Sequence, residues 1–164
     1  LLVLEAVRMR DAGISMDQAL SEIKRILPTG RIFFTVGNLE YLNKGGRIGN
    51  VAYYAASALG IKPLIVMIDG EIFSTGIARN KKKALRKLLV HAEEYFKKAG
   101  ENPNDYSFGV GKGVDPVEAD ELAQQLKEAF DLQGDVPVWQ IGSTVGTHAG
   151  PYPLGFGFVR KYDF

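Results

Sequence analysis

The chain has 164 residues, 46% of them apolar and 24% charged, which is the make-up of an ordinary globular domain long enough for one full hydrophobic core. A net charge of +1 leaves no broad basic field, so no nucleic-acid partner is expected and any basic site must be local. With no cysteine there are no disulfides, thiolate nucleophiles or sulfur-ligated metals, which fits a cytoplasmic protein in a reducing compartment.

Leu1 to Val7 is too short to span a membrane and lacks the cationic start and cleavage site of a signal peptide, so no integral membrane segment is expected. The run is apolar on nearly every side, as in a helix enclosed by protein, and begins without Met; the chain is expected to be a segment of a longer protein. This first helix reads to about Asp11 and stops at Gly13. Ser15 and Gln18 form a capping box for a second helix, whose Ala19, Leu20, Ile23, Ile26 and Leu27 recur at helical spacing until Pro28. Arg31 to Val36 has strand composition.

Asn38 to Asn43 reads as a short helix with Leu39 and Leu42 inward, ended by Gly45 and Gly46, and an Ala-rich helix follows over about Asn50 to Leu59. Lys62 to Ile68 and Glu71 to Ala78 form a hairpin around the two-residue turn Asp69-Gly70. Asn80 caps a long helix to Ala99 with Leu85, Leu88, Leu89, Ala92, Tyr95, Phe96 and Ala99 on one stripe, ended by Gly100. Tyr106 to Val110 is a strand. Asp115, Pro116 and Glu118 open the next helix, with Leu122, Ala123, Leu126, Ala129 and Phe130 inward. Val136 to Ile141 is a strand, Gly142 to Gly150 a glycine-punctuated loop or short helix, and Phe156 to Tyr162 the last strand. Strands alternating with helices imply a layered α/β/α domain with a mixed sheet.

Glycine concentrates at Gly45-Gly46-Arg47-Ile48-Gly49 and again from Gly142 to Gly157. Such a backbone turns sharply and approaches a ligand closely, so Arg47 reads either as an anchor for a carboxylate or phosphate or as a solvated side chain on a plain turn. His148 sits among small residues, where it faces a cavity, oriented by the hydroxyls of Thr144 and Thr147, or is a satisfied structural histidine. His91 lies off its helix stripe and reads as exposed. Lys81, Lys82 and Lys83, with Arg86 and Lys87, stand at the helix end whose dipole prefers anions, an arrangement suited to an acidic partner or a phosphate, or simply to a solvated face. Gly109-Val110-Gly111-Lys112-Gly113 lacks the glycine spacing of the phosphate-binding loop, and Gly142-Ser143-Thr144-Val145-Gly146 is not a nucleophile elbow. No metal-ligand spacing occurs, so no metal and no cofactor are expected.

Taken in order, Leu39-Glu40-Tyr41-Leu42-Asn43-Lys44-Gly45-Gly46-Arg47-Ile48, Ile61-Lys62-Pro63, Asp69-Gly70, Arg79 and Gly146-Thr147-His148-Ala149-Gly150-Pro151 resemble the C-terminal half of DegV proteins. That resemblance covers almost the whole chain and implies the C-terminal lipid-binding domain (1–164) of a two-domain bacterial carrier whose N-terminal domain is absent here. It implies a bound long-chain fatty acid, no catalytic residue of its own, and presentation of the carboxylate to a separate ATP-dependent fatty acid kinase catalytic subunit, within phospholipid metabolism.

By the same likeness Arg47 and His148 would bind the carboxylate or acyl-phosphate head and Arg79 would lie near the surface that meets the kinase; Lys81, Lys82 and Lys83, from their charge at the helix start, are further candidates for contact with a partner. Candidate walls of the acyl tunnel are Ala52, Ala55, Ala56, Leu59, Ile61, Leu64 and Val66, residues that ordinary core packing also accounts for. Two departures from the family pattern are Ala149, in place of a hydroxyl residue, and Tyr152-Pro153, in place of small residues. The alternative is an enzyme acting on a phosphorylated or carboxylated metabolite, with His148 as general acid or base and Arg47 clamping the anion; a further one is an interaction module using the Lys81 to Lys87 face. The apolar opening helix, left uncovered, is expected to make the isolated domain self-associate.

Overall fold

The computed structural model describes residues 1–49, 60–115 and 117–162. The expected Ala-rich helix, with Ala52, Ala55, Ala56 and Leu59, lies outside these, as does Pro116. Six strands form one sheet in the order β3-β2-β1-β6-β4-β5: β1 (Arg31–Thr35), β2 (Lys62–Ile68), β3 (Glu71–Ala78), β4 (Tyr106–Lys112), β5 (Val138–Gln140) and β6 (Leu154–Arg160). All pairings are antiparallel except β4 with β5, so the sheet is mixed. The helices are α1 (Leu2–Asp11), α2 (Met16–Ile26), α3 (Glu40–Lys44), α4 (Lys81–Ala99), α5 (Val117–Phe130) and α6 (Ser143–Ala149).

Local chemistry accounts for most boundaries. Ser15 and Gln18 complete their capping box, Asn80 Oδ1 accepts from Lys83 N at 2.9 Å, and Gly100 closes α4 at φ 67°. Asp69 (φ 51°) and Gly70 (φ 83°) make the tight hairpin turn between β2 and β3.

Several boundaries differ from the sequence reading because partner strands decide them. β4 runs on to Lys112 because β6 pairs along its whole length, from Tyr106 opposite Arg160 to Lys112 opposite Leu154. The last strand therefore spans Leu154–Arg160 instead of Phe156 to Tyr162, and Tyr162 leaves the sheet, donating its backbone N–H to Glu5 Oε2 at 3.0 Å. β5 shrinks to three residues on the sheet edge. Gly142 to Gly150 resolves into the short helix α6. Ala129 and Ala99, expected inward, are exposed, as are Leu20 and Leu27; Val3 is 75% exposed, so α1 is not enclosed on every side.

Strand alternation sorts the sheet into two faces. Phe33, Leu64, Val66, Phe108, Val110, Phe156 and Phe158 turn toward α4 and α5, where Phe96 packs among the rings of Phe108, Phe130 and Phe158. On the opposite face lie α1 and α2, with Met9, Ile26 and Val159 buried together, and a second group in which Val36, Leu39, Leu42, Ile65 and Ala149 pack with Phe34, Ile48 and Ile72. Helices thus cover both faces, giving the α/β/α layering.

Candidate functional site

Two arms leave the sheet side by side on the Ile65 face. The first continues from β1 through Val36, Gly37 and Asn38, whose Oδ1 accepts from Glu40 N at 3.0 Å and so starts α3. Leu39 and Leu42 bury the inner side of this helix, and Lys44 pairs with Glu40 at 2.7 Å on its outer side. The hydrogen bond from Lys44, and then its charge, hold the Glu40 carboxyl below its ordinary pKa. Gly46 then takes a left-handed φ of 65°, so the chain turns back and Arg47 N bonds Leu42 O at 2.9 Å. In the second arm, α6 ends at Gly150 (φ 79°) before Pro151.

Two glycines fasten the arms together, each because an aromatic ring occupies the place of its missing side chain. A Cβ on Gly45 would collide with His148 Nδ1, although the Gly45 backbone (φ −78°, ψ −3°) suits any residue. A Cβ on Gly150 would lie 2.7 Å from the Tyr41 ring. Gly45 also accepts from Arg47 Nη1 at 3.0 Å. The imidazole and the guanidinium, far apart in sequence, therefore meet on one residue.

His148 Nδ1 is buried and has no hydrogen-bond partner among the described residues. An imidazole nitrogen donates or accepts according to tautomer, and one left dry and unpaired is costly until something bonds it. The expected help from Thr147 does not occur: its hydroxyl donates to Ser143 O at 2.9 Å, while Thr144 is exposed. Arg47 is exposed, and among the described residues one of its five N–H donors is engaged, by Gly45 O.

The other sequence candidates are dispersed. Arg79, Lys82 and Lys83 are exposed, whereas Lys81 is half-buried and ion-paired with Glu118. His91 is half-buried, 3.7 Å from Glu94. Ile61 is half-buried. Leu64 and Val66 are buried, but they belong to the core beneath α4, on the face away from His148.

Beside the Arg47 and His148 arms stand Phe34, Ile65 and Ile72 instead, residues the sequence reading did not select. Alternation along β2 carries the signal, since a Leu64 and Val66 facing one helix layer turn Ile65 to the other. Lys62, noted only as part of a motif, donates to Gly37 O at 2.5 Å and ties the root of the first arm to β2. Among the described residues no group of three or more His, Asp or Glu side chains could hold a metal ion.

The DegV family model, described as "Uncharacterised protein, DegV family", matches residues 1–161. The chain belongs to the DegV family. Among curated relatives, a DegV domain-containing protein of Deinococcus radiodurans is 34% identical over 155 residues, and one of Clostridium perfringens is 31% identical over 160. The alignments take in 94% and 97% of this chain but 53% of each relative, so this DegV chain spans about half the length of the curated proteins it matches.

Among solved structures, a stearic acid-binding protein from Eubacterium ventriosum superposes with a TM-score of 0.88 at 40% identity, over 98% of this chain and 55% of that one. A DegV protein from Thermus thermophilus, described by its fatty acid binding, superposes at 0.82 with 27% identity, over 97% and 55%. The described residues thus share the fold of these proteins.

Proposed function

We propose that this chain is the lipid-binding, C-terminal domain of a DegV carrier that holds one long-chain fatty acid, with the carboxylate at Arg47 and His148. The observation that carries this reading is the convergence of a solvent-facing guanidinium and a buried, unpartnered imidazole nitrogen on Gly45. The stearic acid-binding neighbour at 40% identity supports the choice of ligand. A carboxylate satisfies both groups: it accepts from Arg47 with charge assistance and from His148 in its donating form.

Tail and head have separate roles. Each buried methylene contributes about 0.8 kcal/mol, so a chain of about sixteen carbons offers on the order of 10 kcal/mol gross. The head adds orientation, because a carboxylate taken out of water without partners would sooner protonate than stay charged. We assign the tail to the Ile65 face, along Phe34, Ile65 and Ile72, with Ala52, Ala55, Ala56 and Leu59 as candidate walls. The remaining half of a full-length relative would complete the head site.

The carrier itself is assigned no catalytic step. Presentation of the carboxylate to a separate ATP-dependent fatty acid kinase subunit in the cytoplasm is the fuller form of the proposal, and the exposed Arg79, Lys82 and Lys83 are the cations available to receive it. Organic extraction of the purified protein followed by mass spectrometry is expected to release fatty acid at near one equivalent, and repeated absence of lipid would sink the reading. Arg47→Ala is expected to weaken fatty acid binding roughly tenfold, the size of one charge-assisted hydrogen bond; unchanged affinity would remove Arg47 from the head site.

A further inference from the structure

Lys62 and Lys81 are assigned no contact with the fatty acid, yet both line a cleft of about 260 Å³ at the root of the two arms, together with Val36, Gly37, Asn38 and Tyr152. Its volume falls below the roughly 300–1,000 Å³ of pockets that enclose drug-sized ligands, so it fits a small group. Among the described residues no Asp or Glu lines it. Its side chains bring mainly donors: two ammonium groups, the phenol of Tyr152, and the Asn38 amide, whose oxygen is already taken by Glu40 N.

Each lysine is held in place. Lys62 Nζ donates one hydrogen to Gly37 O, and Lys81, with its side chain only 19% exposed, is fixed by Glu118. An ammonium has three donors, so both retain unused ones.

A separate observation concerns the residue that precedes the cleft in the chain. Thr35 is fully buried and its Oγ1 has no partner among the described residues. Val36 packs on the Ile65 side, so strand alternation turns Thr35 to the opposite face of the sheet. Gly37 itself directs its Cβ position toward Tyr152, 3.4 Å away, on the cleft wall. The Thr35 hydroxyl is thus left unsatisfied one residue before the cleft residues Val36, Gly37 and Asn38.

We propose that this cleft binds a phosphate group, free or at the end of a larger molecule, through Lys62, Lys81, Asn38 and Tyr152. The site stands apart from the Arg47 and His148 head and does not depend on the fatty-acid reading. A lysine pair suits this ligand because each ammonium is a compact charge that binds phosphate oxygens without fixed planar geometry.

The test is a backbone amide NMR titration of the protein with inorganic phosphate and, in parallel, glycerol 3-phosphate, against sodium chloride at matched ionic strength. Saturable shifts are expected at Gly37, Asn38 and Lys81 to Lys83, with a dissociation constant on the order of 1 mM. Lys62→Met and Lys81→Gln should each weaken binding about tenfold. Lys82→Gln, on the same helix turn but outside the cleft, should leave it unchanged.

Lys81→Gln leaves the Lys62 bond to Gly37 in place, so its effect does not depend on whether Lys62→Met disturbs the arm. Preference for inorganic phosphate supports a free anion, and equal or tighter binding of the monoester supports the end group of a larger molecule. An equal response to chloride, an equal loss in Lys82→Gln, or shifts confined to Gly45, Arg47 and His148 would overturn the proposal. Lipid extraction, which tests the acyl reading, has an outcome independent of all of these.

Discussion

At the scale of single residues, the proposed head site is organised by an absence. Gly45 has backbone angles that favour most residues over glycine, and alanine there would by itself stabilise the fold by about 0.4–1 kcal/mol through the unfolded chain. Its Cβ, however, would fall on His148 Nδ1. Gly45→Ala is therefore expected to displace the imidazole, reduce fatty acid retention, and lower stability by about 1 kcal/mol once overpacking outweighs the backbone gain. Lipid content by mass spectrometry and a urea melt measure both effects. Gly134→Ala, where a Cβ would meet nothing within 4 Å, is the matched control and should leave lipid content unchanged.

At the scale of elements, one buried carboxylate anchors α1. Glu5 is 1% exposed and accepts from Arg8 Nη1 at 2.6 Å, Ser107 Oγ at 2.6 Å and Tyr162 N at 3.0 Å, tying the first helix to β4 and to the chain after β6. Glu5→Ala removes the acceptor shared by the three and leaves a cavity at a fully buried position, and is expected to destabilise by about 2–4 kcal/mol in urea denaturation. Glu5→Gln keeps an acceptor and should cost less. On α3, Glu40 has its folded pKa lowered by Lys44, so the pair supports the helix above the ordinary carboxylate range and its contribution is lost as pH falls through the depressed value. An NMR titration should show the Gly45 amide following Glu40, with the depression abolished in Lys44→Met and reduced in 1 M salt.

At the scale of the whole molecule, the sheet separates two jobs. Its α4 and α5 face carries the large aromatic core, and its other face carries the arms and, in our reading, the ligand. A fatty acid that binds the folded state alone should raise the melting temperature. At a hundredfold excess over the dissociation constant the gain is about 2.7 kcal/mol, or roughly 5–10 °C for a domain of this size. A calorimetric scan with and without stearate measures it. No gain in the wild type would contradict tail burial, while a gain cut to about half in Arg47→Ala at the same stearate concentration, as a tenfold weaker affinity requires, would support the head assignment.

Local chemistry in the sequence determined the helices with caps, the Asp69-Gly70 hairpin and the alternating α/β order, because a cap or a tight turn is settled within four residues. It also pointed to Arg47 and His148, since a cation and an imidazole set among glycines differ from any core pattern. Tertiary structure decided what depends on partners distant in the chain. Pairing with β1 and β4 set the limits of β6, and alternation, once the helices were docked, sent Leu64 and Val66 into the α4 core and Ile65 toward the arms. The meeting of His148 with Gly45 was likewise a tertiary matter: nothing local to either residue specifies the other, and only packing of α6 against α3 puts an imidazole where a side chain is missing.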